Sequence, residues 1–242
     1  MTYESCHAAL AAVGAAVPRI LLPGQKVDLQ QFSVIACDQF SAQPSYWEQV
    51  EELVGASPSA LRLMLPEAYL GQDDDNRIAD INRTMEAYLK NRLLIDVGET
   101  LVYLRRRTGS GVRRGLLIAL DLEQYDFSAG SKSMIRATEG TIVDRLPPRI
   151  RIRREAPLEM PHIMVLLDDR ADRLMSMLEE ARPQLECLYD FTLMQGGGHS
   201  AGWRVDAPRL LEAVAGVLAE LKAQSGDGLL YAMGDGNHSF AT

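Results

Sequence analysis

Apolar positions recur at helical spacing in two long stretches and in short runs elsewhere. From about Asp75 to Lys90, Ile78, Ile81, Met85, Tyr88 and Leu89 mark one face of a helix. Aspartates crowd its start, where the helix dipole favours negative charge. From Pro208 to Gln224 the apolar side carries Leu210, Leu211, Val214, Val217, Leu218 and Leu221. Helices are also predicted at Glu4 to Ala16, Pro44 to Val54 with a proline at its start, and Arg170 to Arg182 before Pro183. Ser57-Pro58 and Leu65-Pro66 break the region between into short helices or turns.

Strand-type runs lie between these helices. Arg19 to Leu22 is a short extended stretch, and Phe32 to Cys37 reads as a strand leading into an Asp38-Gln39-Phe40 loop. Glu99 to Arg107 and Arg114 to Leu122, joined by Thr108-Gly109-Ser110-Gly111, predict a hairpin. His162 to Leu167, Glu186 to Leu193 and Gly228 to Met233 complete the set. The alternation predicts an α/β or α+β fold of mixed sheets with flanking helices. No repeat or linker divides residues 1–242, which read as one α/β unit. After the last strand a helix begins within Phe240, Ala241 and Thr242, so the expectation is the N-terminal part of a longer protein, truncated C-terminally.

Composition sets bounds on this picture. With 47% hydrophobic and 24% charged residues the chain is an ordinary globular protein. No apolar run approaches the roughly 20 residues of a membrane span. Cys6, Cys37 and Cys187 are few, odd in number and far apart, which fits a reducing cytoplasm. The net charge of −8 conceals a basic middle: Arg105 to Arg154 holds eleven arginines and one lysine against five acids. That asymmetry suggests a confined site for a small anion and disfavours a nucleic-acid face; basic strand edges that discourage intermolecular pairing explain it equally well.

The chemistry-bearing residues gather in a few loops. Gly234-Asp235-Gly236-Asn237-His238-Ser239 joins the last strand to a helix start. Gly234 and Gly236 permit a tight turn and close approach of a ligand. Asp235 is read as a metal ligand or hydroxyl-orienting group, and His238 as a general base or neutral donor. Asn237 and Ser239 are read as donors to an anion or as helix caps. Taken without context the motif reads first as a plain turn and cap. A second candidate is His199 behind Gly196-Gly197-Gly198, against a flexible connector as the alternative. A third is Arg136 to Thr141, leading into Asp144 and Arg145. Here Glu139 is the acid/base or metal-ligand candidate and Arg136 and Arg145 the anion-gripping ones, the alternative being a surface ion-pair network. Asp38 and Gln39 are a weaker candidate, and His162 is expected to be a satisfied structural histidine. Metal-site spacings, Walker-type loops and nucleotide fingerprints are absent, so no metal ligand set is assigned.

Several stretches together carry a resemblance. They are Val34-Ile35-Ala36-Cys37-Asp38-Gln39-Phe40 with Gln43-Pro44 and Tyr46-Trp47-Glu48, and Ile135 to Thr141 running through Asp144-Arg145-Leu146-Pro147-Pro148-Arg149 to Arg153. To these are added Pro161 to Leu166, Met194 to His199, and Gly234 to Ser239. Over nearly its whole length the chain resembles the uncharacterised bacterial family known as domain of unknown function 1015. Some members are likened to the ParB/sulfiredoxin superfamily, and many carry Asp-Gly-His-His-Arg where this chain has Asp235 to Ser239. In ParB/sulfiredoxin-like proteins such a loop helps to hold nucleotide phosphates. Here Asn237 replaces the first histidine and Ser239 the arginine, so an arginine from Arg136 to Arg154 would have to fold over the loop. The resulting expectation is a small-molecule enzyme or nucleotide/phosphate-binding protein, in particular a phosphotransferase using Mg²⁺ with a nucleotide. A non-catalytic ligand-binding or regulatory module is the alternative, and ParB-like DNA binding ranks last.

Overall fold

Two four-stranded sheets of different character organise the chain in a computed structural model that describes residues 3–160 and 162–242. The first sheet is wholly antiparallel, in the spatial order Cys187–Thr192, His199–Val205, Leu101–Thr108, Gly111–Leu117. Its central hairpin closes with Thr108 opposite Gly111, leaving Gly109 and Ser110 as the turn. The expected strand from Arg114 therefore starts earlier and is shorter at its far end. The second sheet is mixed. Tyr125–Asp126, Ile135–Ala137 and Tyr231–Asp235 run parallel, and Met164–Leu166 adds an antiparallel edge. Two small pairs, Ala15–Ala16 with Ala119–Leu120 and Arg19–Pro23 with Leu94–Glu99, complete the α+β arrangement.

Both sheets bury residues in one core. Leu101 and Tyr103 alternate inward with Ala201, Trp203 and Val205, while Ile135, Tyr231 and Met233 contribute from the mixed sheet. Helix Pro208–Gln224 supplies Leu211, Val214, Leu218 and Leu221, the face its periodicity predicts. Helices Arg173–Ala181 and Tyr3–Ala11 add Leu174, Leu178, Cys6 and Leu10. Each such leucine contributes roughly 1.5–3 kcal/mol by burial. Two satellite clusters lie under the N-terminal helices. One gathers Trp47, Val50 and Val54 of helix Pro44–Val54 with Leu61 and Met194. The other gathers Ile81, Met85 and Tyr88 of helix Asp74–Lys90 with Leu63, Leu65 and Leu94.

Some expectations fail for identifiable reasons. Phe32 to Cys37 is not a strand: Asp28 caps a short helix, Leu29–Phe32, by accepting the Gln30 and Gln31 N–H groups at 2.8 and 3.1 Å. Val34 and Ile35, whose side chains suggested a strand, pack instead on the Trp47 cluster. The first helix stops at Ala11 because the chain turns at Gly14, with φ of 67°, to pair Ala15 and Ala16 with the other sheet region. The predicted Arg170 helix starts at Arg173, where Asp169 accepts the Leu174 N–H at 2.8 Å. Pro161, read as part of a family motif, lies outside the described residues. Among the described residues no helix is long and apolar enough to cross a membrane.

Candidate functional site

The three parallel strands share a direction, so their carboxyl ends meet along one edge of the mixed sheet, the edge where open α/β sheets place ligands. Strand Tyr231–Asp235 leaves this edge through Gly236, whose φ of 80° lies in the left-handed region, and enters helix Asn237–Ala241. A side chain at position 236 would strain this turn and press on Ile163. The neighbouring strand Ile135–Ala137 leaves the same edge as the loop Thr138 to Ile142.

Asn237, only 3% exposed, ties the two exits together. Its Oδ1 accepts the Thr138 N–H at 3.3 Å and its Nδ2 donates to Glu139 Oε1 at 3.4 Å. The Thr138 hydroxyl donates to the Met233 carbonyl, and the Ile142 N–H donates to His238 Nε2 at 3.0 Å. A neutral His238 in this position carries its proton on Nδ1, which leaves Nδ1–H as the free donor. Asp235 accepts the Gly236 N–H at 2.8 Å. Asp235 and Glu139 are both exposed, and among the described residues neither forms an ion pair.

The rest of the expected set disperses. The Arg136 guanidinium grips Asp227 at 2.5 Å, and this hydrogen bond, with that of the Leu229 N–H, holds the Asp227 carboxyl at about 2. Arg145 is exposed, and among the described residues it has no ion-pair partner. His199 belongs to the antiparallel sheet, its Nε2 lying 2.8 Å from Asp190 Oδ1. The triple glycine beside it is the turn of the hairpin Cys187–Thr192 to His199–Val205, with the Leu193 N–H donating to the Gly198 carbonyl at 2.8 Å. A Cβ on Gly198 would overlap the Arg107 carbonyl, so close backbone approach explains this glycine. The basic middle likewise separates into ion pairs: Arg114 with Asp172, Arg149 with Glu67, Arg151 with Asp75 and Arg153 with Glu159.

Three residues outside the expected core set join the terminal loop. His162 precedes the Met164–Leu166 edge strand, whose Met164 pairs with Asp235. Its Nε2 lies 2.8 Å from Ser239 Oγ and 3.8 Å from Asp38 Oδ2. Arg153, from helix Leu146–Arg153, donates to the Ser239 carbonyl at 2.7 Å. It is thus the arginine that reaches the terminal helix. Beside Asp38, burial pushes the Cys37 thiol up to about 11, Asp38 and Glu67 adding to the effect and Arg149 opposing it. A usable signal existed in the sequence for His162, which opens a stretch read as a strand; the strand read before Asp38 does not form, so Asp38 had no such signal.

The chain belongs to the family described as a protein of unknown function, DUF1015, which it matches over residues 21–242. No curated protein and no solved structure matches it.

Proposed function

We propose that the protein binds a phosphorylated small molecule, a nucleotide in the first instance, with a divalent cation at the meeting of the Thr138–Ile142 and Gly234–Ser239 loops. Phosphoryl transfer is the reaction this reading assigns. The observation that supports it is the pair of exposed carboxylates, Asp235 and Glu139, on loops locked together by the buried Asn237. Two such carboxylates repel a bare phosphate, and a cation such as Mg²⁺ between them removes the repulsion. Among the described residues no group of three or more His, Cys, Asp or Glu side chains is arranged to hold a metal. The cation would therefore arrive with phosphate oxygens and water completing its shell, as Mg²⁺ commonly does. His238 would present Nδ1–H, and Arg145, which has no ion-pair partner among the described residues, would contact the ligand. Three unpaired cysteines suit a cytoplasmic setting for such a protein.

A thermal-shift series with inorganic phosphate, ADP and ATP, with and without Mg²⁺, tests this. The expected result is stabilisation that needs both nucleotide and Mg²⁺ and disappears in an Asp235→Asn/Glu139→Gln variant; at 100-fold excess over Kd it amounts to about 2.7 kcal/mol. Stabilisation that survives the double substitution, or none at all, removes the reading. One observation favours a second reading, a non-catalytic ligand sensor: the Asn237 and His238 side chains are both engaged with the backbone of the facing loop. A ligand competing for those bonds would move the loop without turnover.

A further inference from the structure

Ser239, His162 and Asp38 form a cluster that the nucleotide reading does not use. The seryl residue is 9% exposed, and the imidazole and carboxylate side chains are 21% and 20% exposed, so the cluster lies just beneath the surface. At 2.8 Å, Ser239 Oγ is within hydrogen-bond reach of His162 Nε2, the distance required of a nucleophile and its base. With Nε2 unprotonated, the hydroxyl donates to it. Asp38 Oδ2 lies 3.8 Å from the same nitrogen. It therefore does not select the tautomer from the far side of the ring, but its charge stabilises the imidazolium once Nε2 has taken the proton. Arg153 holds the Ser239 carbonyl at 2.7 Å, which fixes the residue at the start of the terminal helix.

From this we propose that Ser239 is a covalent nucleophile, with His162 as its base, and that its substrate is a neutral acyl compound, an ester of a small carboxylic acid. In the step, Ser239 Oγ attacks the ester carbonyl carbon while its proton passes to His162 Nε2. The bond from carbonyl carbon to leaving oxygen then breaks, and the imidazolium returns that proton to the departing alkoxide. The products are acyl-Ser239 and an alcohol, and water attacking by the same proton route releases the acid and restores the hydroxyl. Asp38 decides between acyl and phosphoryl substrates. A carboxylate this close to the base repels a phosphoryl dianion and leaves a neutral ester unaffected. Arg153 does not offset that repulsion, because it is engaged with Glu159 and the Ser239 carbonyl. The inference is independent of nucleotide binding at Asp235 and Glu139.

Incubation of the full chain with p-nitrophenyl acetate, followed by intact mass and peptide mapping, tests it. The expected result is one acetyl group on Ser239, formed as p-nitrophenolate is released in an initial burst. It should be absent in Ser239→Ala and at least about 100-fold slower in His162→Gln. Asp38→Asn, which keeps the shape of the side chain, should slow the burst by about tenfold. Acetyl groups only on cysteines or lysines, or a Ser239 adduct forming equally fast without His162, would overturn the proposal. Because the adduct is mapped on the unaltered chain, a variant that folds poorly does not obscure the answer.

Discussion

At Gly196–Gly198 the backbone turns between two antiparallel strands, whereas at Gly234–Gly236 it passes from a strand with a parallel neighbour into a helix. Both loops are glycine-rich and both bring a histidine, yet their surroundings differ. Around Gly198 the neighbour is backbone: the Arg107 carbonyl fills the space a side chain would need. His199 meets Asp190 of the adjacent strand, two positions along from its register partner Thr192. Around Gly236 the neighbour is Ile163, and the residues that follow it, Asn237 and Ser239, meet Glu139 and His162 from distant segments. The hairpin closes on its own backbone, Leu193 N–H to the Gly198 carbonyl, and the side chains that meet its tip, Arg106 on the Gly197 carbonyl and Gln49 on Gln195, brace the turn. The carboxyl edge of a parallel pair leaves its exits to be joined by whatever side chains reach across, and such side chains can also meet a ligand.

The comparison gives graded expectations. Gly198→Ala should be the most damaging change, because it combines a φ of 90° with backbone overlap. A loss of about 3 kcal/mol or more is expected in urea unfolding. Gly236→Ala meets Ile163 at 3.2 Å, a tighter than usual contact without overlap, and should cost about 1–2 kcal/mol. If the two losses were equal, the contrast between a turn whose space a carbonyl fills and one that leaves room for a Cβ would collapse.

Next in size is Asn237→Ala, which deprives the Thr138 N–H of its acceptor. About 1–2 kcal/mol should be lost in urea unfolding, together with any Mg²⁺–nucleotide stabilisation. Ligand response that persists unchanged would detach the proposed site from the Asn237 lock. Near the site, Cys37 gives a pH signature. Its folded value of about 11 stands above the ordinary 9.0, so the folded state holds this proton more tightly. The contribution is therefore complete below about pH 9 and declines as pH rises from there through about 11, by an amount on the order of 2 kcal/mol. Urea midpoints between pH 8 and pH 11 should fall more steeply for the parent chain than for Cys37→Ala. The smallest effect belongs to Asp190→Asn, which removes an exposed partner of His199: within about 0.5 kcal/mol, with ligand response intact.

Local signals account for what the sequence made legible. Pro44–Val54 and Pro208–Gln224 have the bounds expected of them, because a proline in the first turn and a periodic apolar face are written within the element itself. The hairpin at Gly109-Ser110 was visible for the same reason. Phe32 to Cys37 misled because its β-type residues answer to Trp47 and Val50, a tertiary demand that local propensity does not register. In the candidate site the glycine turn at Gly236 was legible, and its partners were not. Asn237 meets Thr138 and Glu139 across nearly a hundred positions, and His162 meets Ser239 across 77. Arg136 was chosen by charge, but its role depends on where Asp227 lies, and nothing within its own segment indicates that.

The long reach of the Asn237 amide also orders events in time. Its two partners leave the strand edge 98 and 99 residues earlier in the chain. Neither loop can take its final shape until strand Tyr231–Asp235 has inserted between Ile135–Ala137 and Met164–Leu166. During synthesis the Thr138 loop therefore emerges without its fastening and stays open while the intervening helices form. The Asn237 fastening of the two loops arrives in one step, with strand Tyr231–Asp235, and amide exchange at Thr138 during refolding would mark that moment.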